Sequence, residues 1–330
     1  MLVGLLDVDS HNFPNLALMK ISAYHKAQGD TVEWWLPLQT YDIVYVSKVF
    51  GDEYSPMEQG LINAKKIVYG GTGFAIKVVD GKEVYVPEDD KPLPDEVEHF
   101  YPDYSLYPEH TKDTAYGFLT RGCPNNCSFC LVSKKEGLKS HKVADLSEFW
   151  NGQKNICLLD PNLLACPQHM ELLKQLAASG AWVDFCQGLD ARFINEKNIE
   201  LLTQIKTKMV HFAFDFMKNE KRIIQGLKLV KERWNLPEGK TVVYVLTNYD
   251  TTIKEDLYRV KRLNELSYRP DIRIYRKNAL PKRHILRDLQ RWCNNRFIYK
   301  SCDFFDYVPR SDGKPIKEIY ADILKNCEVV

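Results

Sequence analysis

From Thr114 to Tyr275 the sequence alternates short apolar runs with longer amphipathic stretches. The runs TAYGFLTRG, NICLLDPN, AWVDFCQGLDARF, MVHFAFDF, TVVYVLTNYD and RPDIRIY read as strands. The stretches PQHMELLKQLAASG, NEKNIELLTQIK, KNEKRIIQGLKLVKERW and TIKEDLYRVKRLNELS read as helices. Gly180 supplies a stop and Asn195 a cap. Strands separated by helices cannot form a meander, because each connection is long enough to cross over and return the chain parallel. Six β–α units in order therefore predict a curved or closed parallel sheet, whose ligand site lies at the C-terminal ends of the strands.

The preceding residues repeat this pattern on a smaller scale. LVGLLDV is a short apolar run suited to a buried parallel strand, and Pro14 opens a helix through NLALMKISAYHKAQ that Gly29 stops. TVEWWLP, DIVYVSKVF and KIVYGG read as further strands, with a second helix expected from Pro56 through MEQGLINAKK. Residues 1–90 are thus expected to form a small Rossmann-like, doubly wound parallel-sheet domain. Residues 91–113, rich in proline and carboxylates, read as an acidic linker whose Tyr and Phe side chains keep it on the protein surface. Residues 279–330 form a C-terminal extension rich in bases and aromatics.

Net charge is close to neutral, yet residues 1–113 hold 9 Lys/Arg against 19 Asp/Glu, and residues 259–300 hold 13 against 3. No apolar stretch approaches the length of a membrane span, which argues against a membrane partner. The first residues read as a strand and not as a secretion leader. Nine cysteines in such a chain point to a reducing compartment, the cytoplasm, where thiols bind metal or pack in the core.

Three of those cysteines, Cys123, Cys127 and Cys130, follow the first strand of the longer series in the spacing C-x3-C-x2-C. Thiolates are soft ligands suited to iron–sulfur clusters and to zinc. An electron-transfer cluster is closed by four cysteines, whereas only three stand together here. Gly122 lets the chain turn ahead of the first ligand, Pro124 and the Asn pair keep the loop out of a helix, and Phe129 offers an apolar, stackable wall. The zinc alternative, with His141 or Cys157 as a fourth ligand in a non-catalytic nucleic-acid-binding protein, stays open at this point. Cys157, Cys166 and Cys186 read as core residues, and Cys293, Cys302 and Cys327 show no ligand spacing.

The cysteine spacing, with an aromatic before the last cysteine and a βα series around it, resembles the radical S-adenosylmethionine (SAM) superfamily. The resemblance covers roughly residues 114–277. It implies a partial (βα)6 barrel over residues 114–278 and a [4Fe–4S] cluster held by Cys123, Cys127 and Cys130. It further implies SAM chelating the open iron through its amino and carboxylate groups. One electron, from a reductant such as flavodoxin or ferredoxin, would cleave the sulfonium to methionine and a 5′-deoxyadenosyl radical that takes hydrogen from a substrate. The Gly-Gly-Glu usual after the second strand is replaced by Asp160-Pro161-Asn162. Implied SAM contacts are Phe129, Asp160, Asn162, Gln187, Arg192 and Asp215. Asp160 has a second reading as a helix cap, while Asp215, a carboxylate within an apolar strand, needs a partner.

The N-terminal domain resembles the cobalamin-binding modules that precede the barrel in one class of these enzymes. Asp9 and His11 match the spacing of D-x-H-x-x-G, but Pro14 stands where that motif has glycine. Cobalamin, and with it a cobalamin-dependent methyltransferase, is the secondary expectation; the other is a domain that merely shapes the substrate entrance. In the basic segment Tyr268, Tyr275, Trp292, Phe297 and Tyr299 interleave with cations. Cations can neutralise phosphates and aromatics can stack on bases, so nucleic acid is the favoured substrate class. A solvated face of amphipathic helices is the competing reading.

Overall fold

The computed structural model describes residues 1–10, 13–57, 60–79, 82–234, 236–309 and 313–325. The fold is mixed α/β, with a four-stranded and a six-stranded parallel sheet. By internal contacts the chain divides into two compact units, Met1–Asp184 and Phe185–Val330.

The first unit opens with β1 (Leu2–Asp7), α1 (Leu16–Ala27), β2 (Thr31–Trp34), β3 (Tyr41–Ser47) and β4 (Ala64–Gly70), in sheet order β2-β1-β3-β4. The register of β1 on β2 and β3, and of β3 on β4, is parallel throughout. Asn15 caps α1 by accepting from Leu18 N–H. The helix lays Leu18 and Ile21 on Val3, Leu5 and Ile43 of the sheet. The helix expected from Pro56 is not formed among the described residues: residues 60–63 are irregular and lead directly into β4. Proline is favoured at a helix start but cannot by itself nucleate one, and Gly60 weakens the segment that follows. An antiparallel hairpin, β5 (Ile76–Val79) and β6 (Lys82–Tyr85), completes this part.

The acidic segment lies on the protein, as its aromatics suggest. It carries the single turns α2 (Asp95–Glu98) and α3 (Pro108–Thr111). Val97 joins the apolar cluster beneath α1. Asp103 accepts from Ser22 Oγ and Lys26 Nζ, both at 2.6 Å, and the Tyr107 hydroxyl donates to Asp7. Glu98 and Asp103 thus pair with Lys20 and Lys26 of α1, an arrangement composition alone does not reveal.

The longer series begins with β7 (Thr114–Gly117). The ribbon β8 (Thr120–Arg121) with β9 (His141–Lys142) encloses the cysteine loop and the short helix α4 (Val132–Glu136). Then come β10 (Asn155–Leu158), α5 (His169–Ser179), β11 (Trp182–Phe185), α6 (Glu196–Leu202), β12 (Thr207–Ala213), α7 (Glu220–Leu229), β13 (Thr241–Thr247), α8 (Ile253–Glu265) and β14 (Pro270–Ile274). The sheet order is β14-β13-β12-β11-β10-β7, and no pairing among the described residues joins the edge strands β7 and β14. The local signals act as expected: Gly180 ends α5 in the left-handed region, and Asn195 accepts from Lys197 and Asn198 N–H at the start of α6. The basic extension holds α9 (Ile285–Asn294) and α10 (Arg296–Ser301). They are separate helices because Asn295 leaves the helical conformation and caps the second. No helix among the described residues is long and apolar enough to cross a membrane.

Candidate cluster loop and strand-end site

In the first unit, the cysteine loop is built between β8 and α4. Gly122 has φ +81°, and a Cβ there would stand 2.2 Å from the Lys139 carbonyl oxygen, so only glycine fits ahead of the first cysteine. Glu136 ties the loop's two ends together: it accepts from Gly122 N–H at 3.0 Å and pairs with Arg121 at 2.8 Å. Cys123 N–H donates to Gly137 O, and Cys130 N–H closes a turn on Cys127 O. The three cysteines are partly exposed and form no disulfide.

Among the described residues no three His, Cys, Asp or Glu side chains are gathered as a metal-holding group. What fits the triad to an iron–sulfur cluster is therefore its donor chemistry and the constraint of its loop. Three soft thiols in eight residues, held at both ends, suit a sulfur-ligated iron centre.

The turn after β10 braces this loop. Asp160 is buried. It accepts from Thr120 N–H at 2.6 Å, Thr120 Oγ at 2.7 Å and Leu119 N–H at 3.2 Å. Burial pushes its carboxyl up to about 6, against the pull of those three donors. Asp160 is not the cap of α5, which starts behind Gln168; both its oxygens accept from the strand that feeds the cysteines. Asn162, two residues on, directs its Nδ2 to Cys123 Sγ at 3.4 Å, and its carbonyl accepts from Ser140 Oγ. Of the residues expected to touch SAM, Asn162 thus meets Cys123 directly. Phe129 stands inside the loop between the last two cysteines.

The second unit brings Arg192 and Asp215 together but leaves Gln187 exposed in the turn after β11. Arg192 is clamped by Asp190 through Nε (2.8 Å) and Nη2 (2.7 Å). Asp215 follows β12 and accepts from Leu246 N–H at 3.1 Å. Burial raises its carboxyl, opposed by that N–H and by the charges of Arg259 and Arg192. The partner that its position required is thus a backbone donor with two guanidinium groups nearby.

Two further features of this unit were missed in the sequence. The first is Arg259, which is fully buried on α8. Its guanidinium donates to the carbonyls of Phe214, Asp215 and Leu246 and to Asp256 Oδ1. It joins the ends of β12 and β13 on either side of Asp215. The second is a polar sheet face. His211 stacks on Tyr244 at 5.1 Å, and the Arg273 guanidinium lies 4.4 Å from the Tyr244 ring and pairs with Asp271 at 2.8 Å. Burial raises the Tyr244 hydroxyl, and Cys186 is among the groups close enough to act on it. Cys186 is therefore a half-buried thiol beside this face and not a core residue, whereas Cys157 and Cys166 are buried as expected. The signal was present: Val210, Phe212 and Phe214 alternate with His211, Ala213 and Asp215. A parallel strand covered by helices on both faces reads as continuously apolar, so the alternation marks one face not covered by apolar packing.

The structure also sorts the aromatics of the basic segment. Tyr268 and Trp292 are buried, and their polar atoms donate to Leu227 O and Cys302 O. Phe297 is 87% exposed. Arg287 is engaged with the carbonyls of Lys277 and Leu280. In the N-terminal sheet Asp9 is buried and accepts from Val49 and Phe50 N–H, both at 2.8 Å. His11, the cobalt-ligand candidate, and Cys327 lie outside the described residues. In comparisons with known proteins, no family model matches the chain and no curated protein matches it.

Proposed function

We propose that this chain is a radical SAM enzyme, with Cys123, Cys127 and Cys130 holding a [4Fe–4S] cluster. The observation that carries the reading is the C-x3-C-x2-C loop itself, following the first strand of a parallel βα series and anchored at both ends by Glu136. When bound, such a cluster supplies the electron that splits SAM into methionine and a 5′-deoxyadenosyl radical. On this reading the six-stranded sheet curves as a partial (βα)6 barrel. The enzyme works in the reducing cytoplasm, with flavodoxin or ferredoxin as electron donor.

The chain's own residues have definable parts in this chemistry. Asp160 fixes the Leu119–Thr120 turn, and through it the direction in which the loop leaves the strand. Asn162 donates to Cys123 Sγ, and hydrogen bonds to ligating sulfurs are one of the levers on cluster potential. Arg192, oriented by Asp190, is a cation suited to a carboxylate such as that of the methionyl group. Asp215 is a partly desolvated acceptor suited to ribose hydroxyls. His211, Tyr244 and Arg273 offer a stacking and charged face to the substrate.

The test uses anaerobically purified protein. Iron and acid-labile sulfide are expected near the content of one [4Fe–4S] cluster, with 5′-deoxyadenosine and methionine formed from SAM under dithionite. Replacing Cys123, Cys127 and Cys130 together by Ala should abolish all of these. Stoichiometric zinc without iron, or SAM cleavage that survives the triple substitution, overturns the reading.

A further inference from the structure

The second unit contains a cavity of about 1070 Å³ whose lining includes none of the proposed SAM contacts. It lies against the C-terminal half of α8, the turn entering β14, the end of α9, and α10. Arg269 directly precedes β14, so the cavity sits at the N-terminal end of that strand. Asp215 and the clamp of Arg259 lie at C-terminal strand ends, where parallel sheets carry their ligands. The cavity is therefore a different site from the proposed SAM contacts of this unit.

Its walls are cationic. Lys231, Lys261, Arg269, Arg296 and Lys300 line it, against the two carboxylates Glu265 and Asp303. Glu265 is already paired with Arg262 at 2.8 Å. Arg269 is the most telling of the five. Its Nη2 reaches only Asn294 O, at 3.4 Å, and its buried Nε has no hydrogen-bond partner. A guanidinium has five donors, and leaving one buried and unmatched is costly unless an acceptor arrives. Arg269 lines the cavity, so an anion bound there would lie beside its guanidinium. Half-buried Tyr299 and Phe305 add ring surface to the wall.

A shallower depression of about 390 Å³ shares Arg296 and Lys300 with the cavity and adds Phe297. That ring stands in solvent between two bases on one short helix. Alternating cations and accessible rings match the combination that tracks a phosphate backbone and stacks its unpaired bases.

We propose that the cavity and the flank of α10 bind single-stranded nucleic acid. Phosphates are held by Arg269, Arg296 and Lys300, and a base stacks on Phe297. The proposal does not rest on the cluster reading and is tested without SAM or reductant.

The experiment is fluorescence anisotropy of a short fluorescein-labelled single-stranded RNA against the full chain, over a range of salt concentrations. Phe297→Ala should weaken binding by roughly five- to 160-fold, the range of one lost base stack, and Phe297→Tyr should restore it. The pair Arg296→Ala and Lys300→Ala should lower the log–log salt slope by about 1.4, as expected for two phosphate contacts on a single strand. All three side chains are exposed, so unchanged thermal unfolding of the variants separates lost binding from lost fold. The proposal is overturned if wild-type protein does not bind the RNA at low salt, or if Phe297→Ala binds as tightly as wild type. Equal displacement of the RNA by polyglutamate or by 5′-AMP overturns it as well, since the site would then be a general anion or mononucleotide pocket.

Discussion

Asp160 accepts both the backbone N–H and the hydroxyl of Thr120, at 2.6 and 2.7 Å, and so fixes the start of the strand that delivers the cysteine loop. Its second oxygen accepts from Leu119 N–H. Asp160→Asn keeps the shape but turns one acceptor into a donor facing an N–H. The expected cost is about 1–3 kcal/mol, read as a lower midpoint in thermal unfolding. If the loop's direction depends on this turn, the variant should also retain less iron after anaerobic reconstitution. A midpoint equal to wild type would mean that Thr120 is held by other means.

The same carboxyl makes stability depend on pH, with a definite sign. Burial raises it to about 6 in the fold, above its ordinary value of 3.8. As pH rises between these values the unfolded chain loses this proton first, while the native state retains it. The contribution is therefore fully present below the ordinary value and is lost as pH rises through about 6. Asp160→Asn has no proton to lose. The stability gap between wild type and variant in urea titrations should accordingly shrink as pH rises through this window and then level off. A gap that widens would show that the three donors outweigh burial.

Gly226 lies within α7, where glycine costs about 1 kcal/mol relative to alanine. Helix propensity alone predicts that Gly226→Ala stabilises. A Cβ there would stand 1.9 Å from the carbonyl oxygen of Ala191, in the turn that carries Arg192. Backbone at that distance cannot yield as a flexible side chain would. The expected net effect is a loss of about 1–3 kcal/mol, seen as a lower unfolding midpoint. A raised midpoint would show that the turn moves freely, and Arg192 with it.

How much of this was legible in the sequence depends on whether the determinant was local. Gly180 and Asn195 act through their own φ and ψ or through N–H groups two and three residues away, so the ends of α5 and α6 could be read directly. The segment after Pro56 carried a local start signal with no stabilising partner behind it, and no helix formed in its described residues. The cysteine loop was visible as spacing. Its braces were not, because Asp160 meets Thr120 across 40 residues and Glu136 meets Gly122 across 14. Trp292 and Phe297 are both aromatic residues among bases, and only the break at Asn295 decides that one is buried and the other exposed. Arg259 counts in the sequence only as one base of the segment 259–300, since nothing local distinguishes a buried arginine until the strand carbonyls that surround it are known.

That arginine gives the strictest test of the second unit. Arg259 and Asp256 are both fully buried and paired, and Arg259 also satisfies three strand-end carbonyls. Arg259→Met leaves Asp256 without its cation and should cost about 3–5 kcal/mol, the range for breaking a buried pair from one side. Adding Asp256→Leu removes the stranded carboxylate and should recover part of that loss. Recovery should remain incomplete, because the carbonyls of Phe214, Asp215 and Leu246 still lack their donor. Thermal unfolding of the two single variants and the double variant gives the coupling energy directly. If the double variant is as unstable as Arg259→Met alone, the carbonyl clamp and not the ion pair is what Arg259 contributes. In either case the strand end bearing Asp215 loses its fixed position, so on the proposed radical SAM reading, SAM binding, measured separately on whatever fraction remains folded, should weaken in every variant that lacks Arg259.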